Sequence, residues 1–597
     1  MSTAILTGQP VAGSPLEADL RSLGFDVRTA DGAAAVADVL AAVPADERVA
    51  VVDPRFVGHL HSLRLALTDP RFPAAAVPGA VTAQPEARAA LQRAAAAVPA
   101  GPGSRYRVDV LPDALAESLE AGDAAPQRVE LGSLVATVPL TPAERATAEE
   151  AVAAVDDEAV RLRTAVKARD GFFTTFCISP YSRYLARWCA RRGLTPNQVT
   201  TASLLTAVVA AGCAATGSRG GFIAAGLLLI FSFVLDCTDG QLARYSLQYS
   251  TMGAWLDATF DRAKEYAYYA GLALGAARGG DDVWALALGA MVLQTCRHVV
   301  DFSFNEANHD ATGNTSPTAA LSDRLDSVGW TVWVRRMIVL PIGERWAMIA
   351  LLTACTTPRI VFYALLVGCA LAACYTTAGR VLRSLTRRAR RTDRAAAALA
   401  DLADSGPLAG LFARGGSGGA FTAPVMAFLG AACLLTWVIF QDEPVTWTTV
   451  VVAVIYALFS GQAVARPLKG PLDWLVPPLF RAGEYVAILV VAARSDADQA
   501  LPAAFGLVAA VAYHHYDTVY RIRVGTGAPP RWLVRAAGGH EGRTLLVVLL
   551  AALLHGSGFT IALTVLALVL ALLVLVESIR FWVSSGAPAV HDEGEPA

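Results

Sequence analysis

The chain has 597 residues, of which 54% are hydrophobic and 17% are charged, and its formal net charge is −2. It is too long for one domain and too apolar for an ordinary soluble protein. The near-neutral charge, with no basic block outside the loops, argues against nucleic acid as a partner. These features together predict a membrane protein.

Residues 1–140 have the character of a soluble domain. Short apolar runs that predict strands lie at 4–6, 49–52 and 76–81, and Ala/Leu/Arg-rich stretches that predict helices lie at 33–43 and 86–98. This alternation is typical of an α/β domain with a mostly parallel sheet. A nucleotide-binding loop needs glycines and a basic residue to meet phosphate, but residues 6–15 contain two prolines and no Lys or Arg. We therefore favour a scaffold or regulatory role for this domain over catalysis.

Residues 141–198 read as a helical linker that leads the chain to the bilayer. Aromatic and arginine residues at 182–188 have the spacing of an amphipathic helix lying on the membrane interface. The segment 194–200, with Pro196 and Thr200, predicts a turn and the start of a helix.

Apolar segments of about the length needed to cross a bilayer follow. Six lie in the domain 199–395, at 199–217, 221–238, 254–277, 283–303, 337–356 and 358–380. After a linker at 396–420, about six more occupy 421–583, and a tail at 584–597 ends the chain. The predicted fold is a polytopic α-helical membrane protein of about 12 spans in two six-helix blocks, with an N-terminal soluble α/β domain.

The distribution of arginine predicts the orientation. The short loops after the first, third and fifth segments are poor in positive charge, whereas Arg244, the loop 304–336 and the run 380–394 lie on the other side. The positive-inside rule then places both termini in the cytosol. Without a signal peptide at the N-terminus, we expect a multi-pass protein of the plasma (inner) membrane.

Four aspartates at the junction of the second and third segments form the most informative constellation. Asp236 and Asp239 are three residues apart, and Asp257 and Asp261 are four apart, so each pair shares one face of its helix. Two adjacent antiparallel helices would bring four carboxylates together, which divalent cations such as Mg²⁺ or Mn²⁺ would neutralise. The pattern predicts a two-metal site for phosphoryl displacement, at the cytosolic face.

Smaller residues and one arginine accompany the aspartates. Gly240 and Gly253 leave room for a ligand near the backbone, Ala243 keeps the wall of the site small, and Arg244 can pair with phosphate oxygens. The whole pattern, D-G-x2-A-R-x8-G-x3-D-x3-D with a further Asp three residues before the first, resembles the motif of the CDP-alcohol phosphotransferases.

The resemblance implies an activity and a set of roles. The enzyme would transfer a substituted phosphoryl group from a CDP-alcohol to an acceptor hydroxyl and release CMP, forming a phosphodiester as in phospholipid or polyol-phosphodiester synthesis. Asp236, Asp239 and Asp257 would bind two divalent cations, and Asp261 would bind metal and act as general base. By the same resemblance, the residues of the CDP site are Asp239, Gly240, Ala243, Arg244 and Gly253.

Two further predictions concern the acceptor and the N-terminal domain. Arg297 and Arg345 could bind an acceptor phosphate, with snorkelling or helix-end roles as the alternatives. The N-terminal domain resembles the cytidylyltransferase part of enzymes that join such a domain to a CDP-alcohol transferase. Because the glycine-rich basic loop is missing, we predict a degenerate domain.

The second membrane block echoes the first. The stretches 240–244, 262–266 and 343–346 have counterparts at 461–466, 481–485 and 541–544. In these registers, the four aspartates are replaced by Ala457, Ser460, Val476 and Phe480. We predict a metal-free degenerate repeat that forms an intramolecular pseudo-dimer in place of a homodimer, although a homodimer of the whole chain stays open.

Three polar residues in this second block could suggest another metal site. His514, His515 and Asp517 lie at a predicted span end, where solvated helix-end residues are the expected interpretation because no third convergent ligand is evident. Two other function classes compete with the enzyme: a twelve-span transporter with repeated halves, and a non-catalytic membrane scaffold. Acids confined to one half and one face favour the enzyme.

Overall fold

The computed structural model describes most of the chain, and every structural statement below concerns that part. The described residues are 2–45, 47–69, 72–97, 110–122, 124–167, 170–309, 339–386, 390–413, 419–441 and 445–584. Most of the predicted loop 304–336, the residues 387–389 of the basic run and nearly all of the tail 584–597 lie outside these ranges.

The N-terminal region is an α/β domain, as predicted. Its strands are β1 (Ser2–Leu6), β2 (Phe25–Thr29), β3 (Arg48–Val52), β4 (Val57–Gly58), β5 (Ala74–Val77), β6 (Ala80–Ala83), β7 (Gln127–Arg128) and β8 (Ala136–Thr137). Its helices are α1 (Leu16–Ser22), α2 (Gly32–Ala42), α3 (Leu60–Thr68), α4 (Pro85–Ala97) and α5 (Leu111–Glu120). The predicted helices at 33–43 and 86–98 are thus confirmed within a residue or two.

The main sheet is mixed rather than nearly all parallel. Its strand order is β2-β1-β3-β6-β5-β7. The strand β1 pairs in parallel with β2 and β3, while β6 runs antiparallel to β3 and β5. The single strand predicted at 76–81 is wrong, because Gly79, at φ +80°, allows the chain to turn back into a hairpin there.

Both faces of this sheet are covered. Alternate residues of β3 face opposite sides: Val49 and Val51 pack with α2 and α4, whereas Ala50 and Val52 pack with α1 and α3. Strands buried on both faces read as continuous apolar runs, which is why β1 and β3 were recognisable in the sequence. A separate pair, β4 and β8, is antiparallel.

Helices of the linker carry the chain from this domain to the apolar helices. They are α6 (Pro142–Ala153), α7 (Asp157–Thr164) and α8 (Ser179–Arg191), with a π-helical turn at Thr174–Ile178 before α8. The α8 helix presents exposed Tyr181, Tyr184 and Trp188, which fits the predicted interfacial helix. On its other face, the Ser182 hydroxyl donates to the side chain of Gln241, 2.8 Å away.

Two sets of long helices follow. The first set is α9 (Pro196–Ala215), α10 (Arg219–Ser246), α11 (Thr251–Arg278), α12 (Trp284–Asn308), α13 (Ile342–Cys355) and α14 (Pro358–Thr386). The second is α15 (Asp393–Ala403), α16 (Pro407–Phe412), α17 (Thr422–Phe440), α18 (Trp447–Ala463), α19 (Val476–Arg494), α20 (Ala500–Arg523), α21 (Arg531–Ala536), α22 (Gly539–Leu553) and α23 (Ser557–Ser584). A capping box between Thr195 and Gln198 starts α9, close to the predicted position.

Six of the described helices are long and apolar enough to cross a membrane: α9, α10, α14, α17, α19 with the turn before it, and α23. The protein is therefore a membrane protein. Of the others, α13, α18 and α22 are shorter, at 14, 17 and 15 residues. The helices α11, α12 and α20 are continuous, but their apolar sequences contain several ionisable residues. The expected count of about 12 spans stays a prediction.

Close packing on α9 fixes the position of α11. A Cβ atom added to Gly271 would lie 2.4 Å from the carbonyl oxygen of Ala211, and one added to Gly275 would lie 2.1 Å from that of Ala214. Small residues four apart let two apolar helices approach backbone to backbone. Because α10 also packs closely on α9, the helices that carry the four aspartates share one support.

Candidate active site and its acidic cluster

The carboxylates of the predicted motif lie on two helices joined by a short turn. Asp236 and Asp239 are on α10, and Asp257 and Asp261 are on α11. The turn between the helices, residues 247–250, begins at Leu247 in the left-handed region at φ +54° and ends at Ser250, whose hydroxyl accepts the N–H of Gly253. The motif thus continues one helix to its end and starts the next, which runs back alongside α9.

Three of the four carboxylates come together. Oxygen atoms of Asp236, Asp257 and Asp261 lie within 4.8 Å of one another, and all three side chains are half-buried. An all-oxygen donor set of this kind suits a hard divalent cation, so the residues fit the predicted metal. We call these three residues the acidic cluster.

Asp239 lies outside this cluster. It is 4% exposed, and its Oδ2 atom has no hydrogen-bond partner among the described residues. A buried carboxylate oxygen without a donor is costly, and a bound cation would satisfy it. Asp239 therefore also fits the metal assignment, although its role as a ligand stays a prediction.

Lys264 is a member of the site that the sequence analysis did not single out. Its fully buried ammonium group donates to Asp236 and, over 3.1 Å, to Oδ1 of Asp261. The signal was present, because Lys264 is three residues after Asp261 and so on the same face of α11. One ammonium group leaves most of the charge of four carboxylates uncompensated.

The glycines and Arg244 of the motif lie close to atoms of neighbouring residues. A Cβ added to Gly253 would lie 2.8 Å from Oδ1 of Asn197, so only glycine allows this side chain to approach the start of α11. Gly240 faces Arg244, whose Nη1 would lie 3.5 Å from an added Cβ. The Nε of Arg244 donates to the carbonyl oxygen of Ala165, 2.6 Å away, just beyond the end of α7. The CDP-binding roles of Asp239, Gly240, Ala243, Arg244 and Gly253 stay predictions.

The two arginines predicted for the acceptor are buried and engaged within the protein. Arg345 forms an ion pair with Glu265, with Nε 3.1 Å from Oε1, and Arg262 donates to the same carboxylate over 2.9 Å. Arg297 donates to the backbone carbonyls of Val339 and Leu340. Neither arginine is at a solvated helix end, and their role in acceptor binding stays a prediction.

A second arginine-glutamate triad lies in the C-terminal helices. Arg481 donates to Glu484 over 2.7 Å, and Arg543 donates to the same carboxylate over 2.5 Å. These are the residues that the sequence registers align with Arg262, Glu265 and Arg345. Asp404, which the sequence analysis did not consider, pairs with both arginines, over 3.0 and 2.7 Å.

The positions aligned with the four aspartates are buried and carry no carboxylate. Ala457, Ser460, Val476 and Phe480 are at most 1% exposed. The Phe480 ring stacks on His540 at a centroid distance of 4.0 Å, and His540 shares a 2.8 Å hydrogen bond with Tyr456. The residue aligned with Asp261, Phe480, therefore lies in an aromatic cluster with His540 and Tyr456.

The prediction of solvated helix-end residues in the C-terminal helices is wrong. His514, His515 and Asp517 are not solvated, since each is at most 3% exposed. They lie on α20 where α23 and other helices cover them, and Asp517 accepts hydrogen bonds from Ser578 and Trp582. The sequence placed them near the end of a helix but could not show what packs over that end.

Comparisons with known proteins match two parts of the chain to two different families. Residues 193–373 match the family described as CDP-alcohol phosphatidyltransferase. Residues 393–597 match a different family, one described as of unknown function. The first match contains the acidic cluster, Asp239, Lys264 and both predicted acceptor arginines.

Curated relatives resemble the same region. A phosphatidylinositol phosphate synthase of Streptomyces avermitilis is 35% identical over 130 residues, which is 21% of this chain and 51% of the relative. An archaetidylinositol phosphate synthase of Pyrococcus horikoshii is 30% identical, covering 19% of this chain and 58% of the relative. A bifunctional IPC transferase and DIPP synthase of Aquifex aeolicus is 31% identical over 19% of this chain and 26% of its own length. The chain thus spans about half the length of the first two of these relatives and about a quarter of the length of the third.

Proposed function

Because residues 193–373 form a CDP-alcohol phosphatidyltransferase domain, we propose that the protein transfers a substituted phosphoryl group from a CDP-alcohol to an acceptor hydroxyl and releases CMP. The observation that carries this proposal is the convergence of Asp236, Asp257 and Asp261 to within 4.8 Å inside the matched domain. The products would be phosphodiesters such as phospholipids.

The acidic cluster and Asp239 would hold two divalent cations, Mg²⁺ or Mn²⁺. Cations bound there would neutralise the charge of the diphosphate and of the developing phosphorane. The protein's own contribution is a set of oxygen ligands in fixed positions, with the Lys264 ammonium group beside Asp236 and Asp261. Gly240, Ala243, Arg244 and Gly253 would shape the cytidine diphosphate site around them.

In the transfer step, Asp261 would take the proton of the acceptor hydroxyl. The acceptor oxygen forms a bond to the phosphorus that carries the alcohol, and the bond from that phosphorus to the CMP oxygen breaks. A carboxylate serves as general base when it lies within hydrogen-bond reach of the proton. Lys264 donates a hydrogen bond to Oδ1 of Asp261 over 3.1 Å, which helps to hold this carboxylate in position.

The names of the relatives support a proposal for the class of acceptor. Two of them are named as synthases of inositol phosphate lipids, so we propose a phosphorylated polyol, with inositol phosphate as the first acceptor to test. Arg297 and Arg345 are the proposed partners of its phosphate. Arg345 would then exchange part of its contact with Glu265 for the ligand.

We place the site and both termini on the cytosolic side of the plasma (inner) membrane. The N-terminal domain contacts the end of α10 that carries the motif, since Arg64 donates to the carbonyl oxygen of Ser246 over 2.7 Å. A site that opens at this end faces the same compartment as the N-terminal domain. We propose a non-catalytic role for that domain, because the loop after β1 lacks a basic residue to meet phosphate.

The competing classes receive less support. A transporter of repeated halves uses broken helices and a site shared by both halves. Here the motif lies where one continuous helix, α10, ends and the next, α11, begins, and the acidic cluster lies in the first half alone. A purely structural scaffold gives no reason for Asp239 to be buried with an unpaired oxygen.

For the C-terminal helices we propose the role of a degenerate second subunit. The triad of Arg481, Glu484 and Arg543 has the same pairing pattern as that of Arg262, Glu265 and Arg345, which supports a common origin. The helix α12 packs against α19 and α20, so the two halves share a long interface within one chain.

Deleting residues 400–597 tests this role. We expect the truncated chain to lose its folded, monodisperse state in detergent, because the apolar face of α12 would be left uncovered. Size-exclusion chromatography and CMP release measure the outcome. A remainder that is stable, fully active and homodimeric would contradict the proposal.

The proposed activity is tested by CMP release from membranes that contain the protein. Pairs of CDP-alcohols and hydroxyl acceptors are supplied with Mg²⁺, with Mn²⁺ or with a chelator, starting from CDP-diacylglycerol and inositol phosphate. We expect CMP only when donor, acceptor and metal are all present. Absence of CMP with every pair, in a preparation shown to be folded, would contradict the proposal.

A further inference from the structure

Two aromatic side chains of the C-terminal helices contact the helix that carries Asp257 and Asp261. Trp582 of α23 stacks on Trp255 of α11, with ring centroids 5.8 Å apart and planes inclined by 21°. The guanidinium group of Arg262, also on α11, lies over the ring of Tyr516 of α20 at 5.5 Å from its centroid. Both contacts join the family of unknown function to the transferase domain.

These contacts lie on the side of α11 that faces away from the carboxylates. Trp255 and Arg262 are seven residues apart, so at about 100° per residue they lie within about 20° of each other around the helix axis. Asp257 and Asp261 are about 200° and 240° from Trp255 by the same geometry. The helix α11 is therefore held between the acidic cluster on one side and two aromatic contacts on the other.

Trp582 is itself firmly fixed. Its indole N–H donates to Oδ1 of Asp517 over 2.7 Å, and Asp517 also accepts the hydroxyl of Ser578 and pairs with Arg521. Trp255, in contrast, is 5% exposed, and its indole N–H has no hydrogen-bond acceptor in the described residues. Stacking on Trp582 is thus a main constraint on the orientation of the Trp255 ring.

The acidic cluster requires packing contacts that hold α11 in place. Ionised carboxylates at this distance repel one another, across α10 and α11 as well as within α11, and the ammonium group of Lys264 compensates only part of that repulsion. Ligands of a metal ion must be held to within about 0.5 Å by the packing around them. A contact behind the helix opposes its displacement.

We propose that Trp582 and Tyr516 are positioning residues for the metal-binding carboxylates, so that the C-terminal helices act on the active site by bracing α11. The inference rests on the proposed function in that the cluster must bind divalent cations. It gives the family of unknown function a role in the reaction without any residue of its own in contact with substrate.

Mn²⁺ binding to the purified full-length protein, measured by calorimetry, tests the inference independently of turnover. We expect Trp582→Ala to weaken Mn²⁺ binding about 10-fold, with a matching rise in the Mn²⁺ concentration needed for half-maximal CMP release. Trp582→Phe keeps a ring against Trp255 and should restore most of the affinity. The matched control is Trp447→Ala, since Trp447 is 62% exposed at the start of α18 and should leave both values unchanged.

If Trp582→Ala does not fold, a second pair of variants, at Tyr516, provides the test. Tyr516→Leu removes the ring beneath Arg262 and should weaken Mn²⁺ binding, whereas Tyr516→Phe keeps the ring. The Tyr516 hydroxyl has no hydrogen-bond partner among the described residues, so Tyr516→Phe should bind Mn²⁺ like the wild type.

The outcomes separate the two proposals. Folded Trp582→Ala or Tyr516→Leu with wild-type Mn²⁺ affinity would overturn the bracing role, whatever the activity. A wild type that binds Mn²⁺ and releases no CMP would overturn the proposed function, while weaker binding in the variants would still support the bracing role. A wild type that does not bind Mn²⁺ would overturn both.

Discussion

Asp261→Asn is expected to lower the rate of CMP release by about 10³-fold, within the range that loss of a positioned general base produces. The amide cannot take the proton of the acceptor hydroxyl, and it is a weaker ligand for a divalent cation than a carboxylate. It has nearly the same shape, and its oxygen can still accept the hydrogen bond from Lys264. The loss should therefore appear in the rate and in metal affinity, with the elution profile and thermal stability in detergent little changed.

A matched control is available in the loop that follows α11. Asp281 follows α11 at its opposite end and pairs with Arg359, and its side chain is 39% exposed. Exposed ion pairs contribute less than about 1 kcal/mol, so Asp281→Asn should leave CMP release unchanged. If Asp261→Asn retained the wild-type rate, the assignment of Asp261 as base would be wrong.

Glu484→Ala is expected to destabilise the protein by about 3–5 kcal/mol, the usual cost of removing one partner from a buried charge cluster. Glu484 is fully buried and accepts from both Arg481 and Arg543. Without it, two buried guanidinium groups would share the carboxylate of Asp404. We expect a clear fall in the temperature at which the protein loses its monodisperse peak in detergent.

The control for this variant removes a glutamate from an exposed pair. Glu120 and Arg128 are joined over 2.7 Å on the surface of the N-terminal domain, with side chains 41% and 46% exposed. Glu120→Ala should change stability by less than about 1 kcal/mol. Equal thermal stability of Glu484→Ala and the wild type would mean that the C-terminal triad is not a structural element of the fold.

The sequence by itself determined the features that depend on local spacing. The three- and four-residue intervals put each pair of aspartates on one face of a helix, and hydropathy located the apolar helices of both halves. An arginine three residues before a glutamate lies on the same face of a helix, and Arg481 and Glu484 have this spacing and form an ion pair. Continuous apolar runs likewise located β1 and β3.

Only the tertiary structure decided which groups meet across elements. It left Asp239 buried beside the acidic cluster, placed Lys264 between Asp236 and Asp261, and buried Asp517 beneath α23. It also set Trp582, more than 300 positions along the chain, against Trp255. Such contacts depend on the relative rotation and distance of packed helices, and periodicity within one helix carries no information about either.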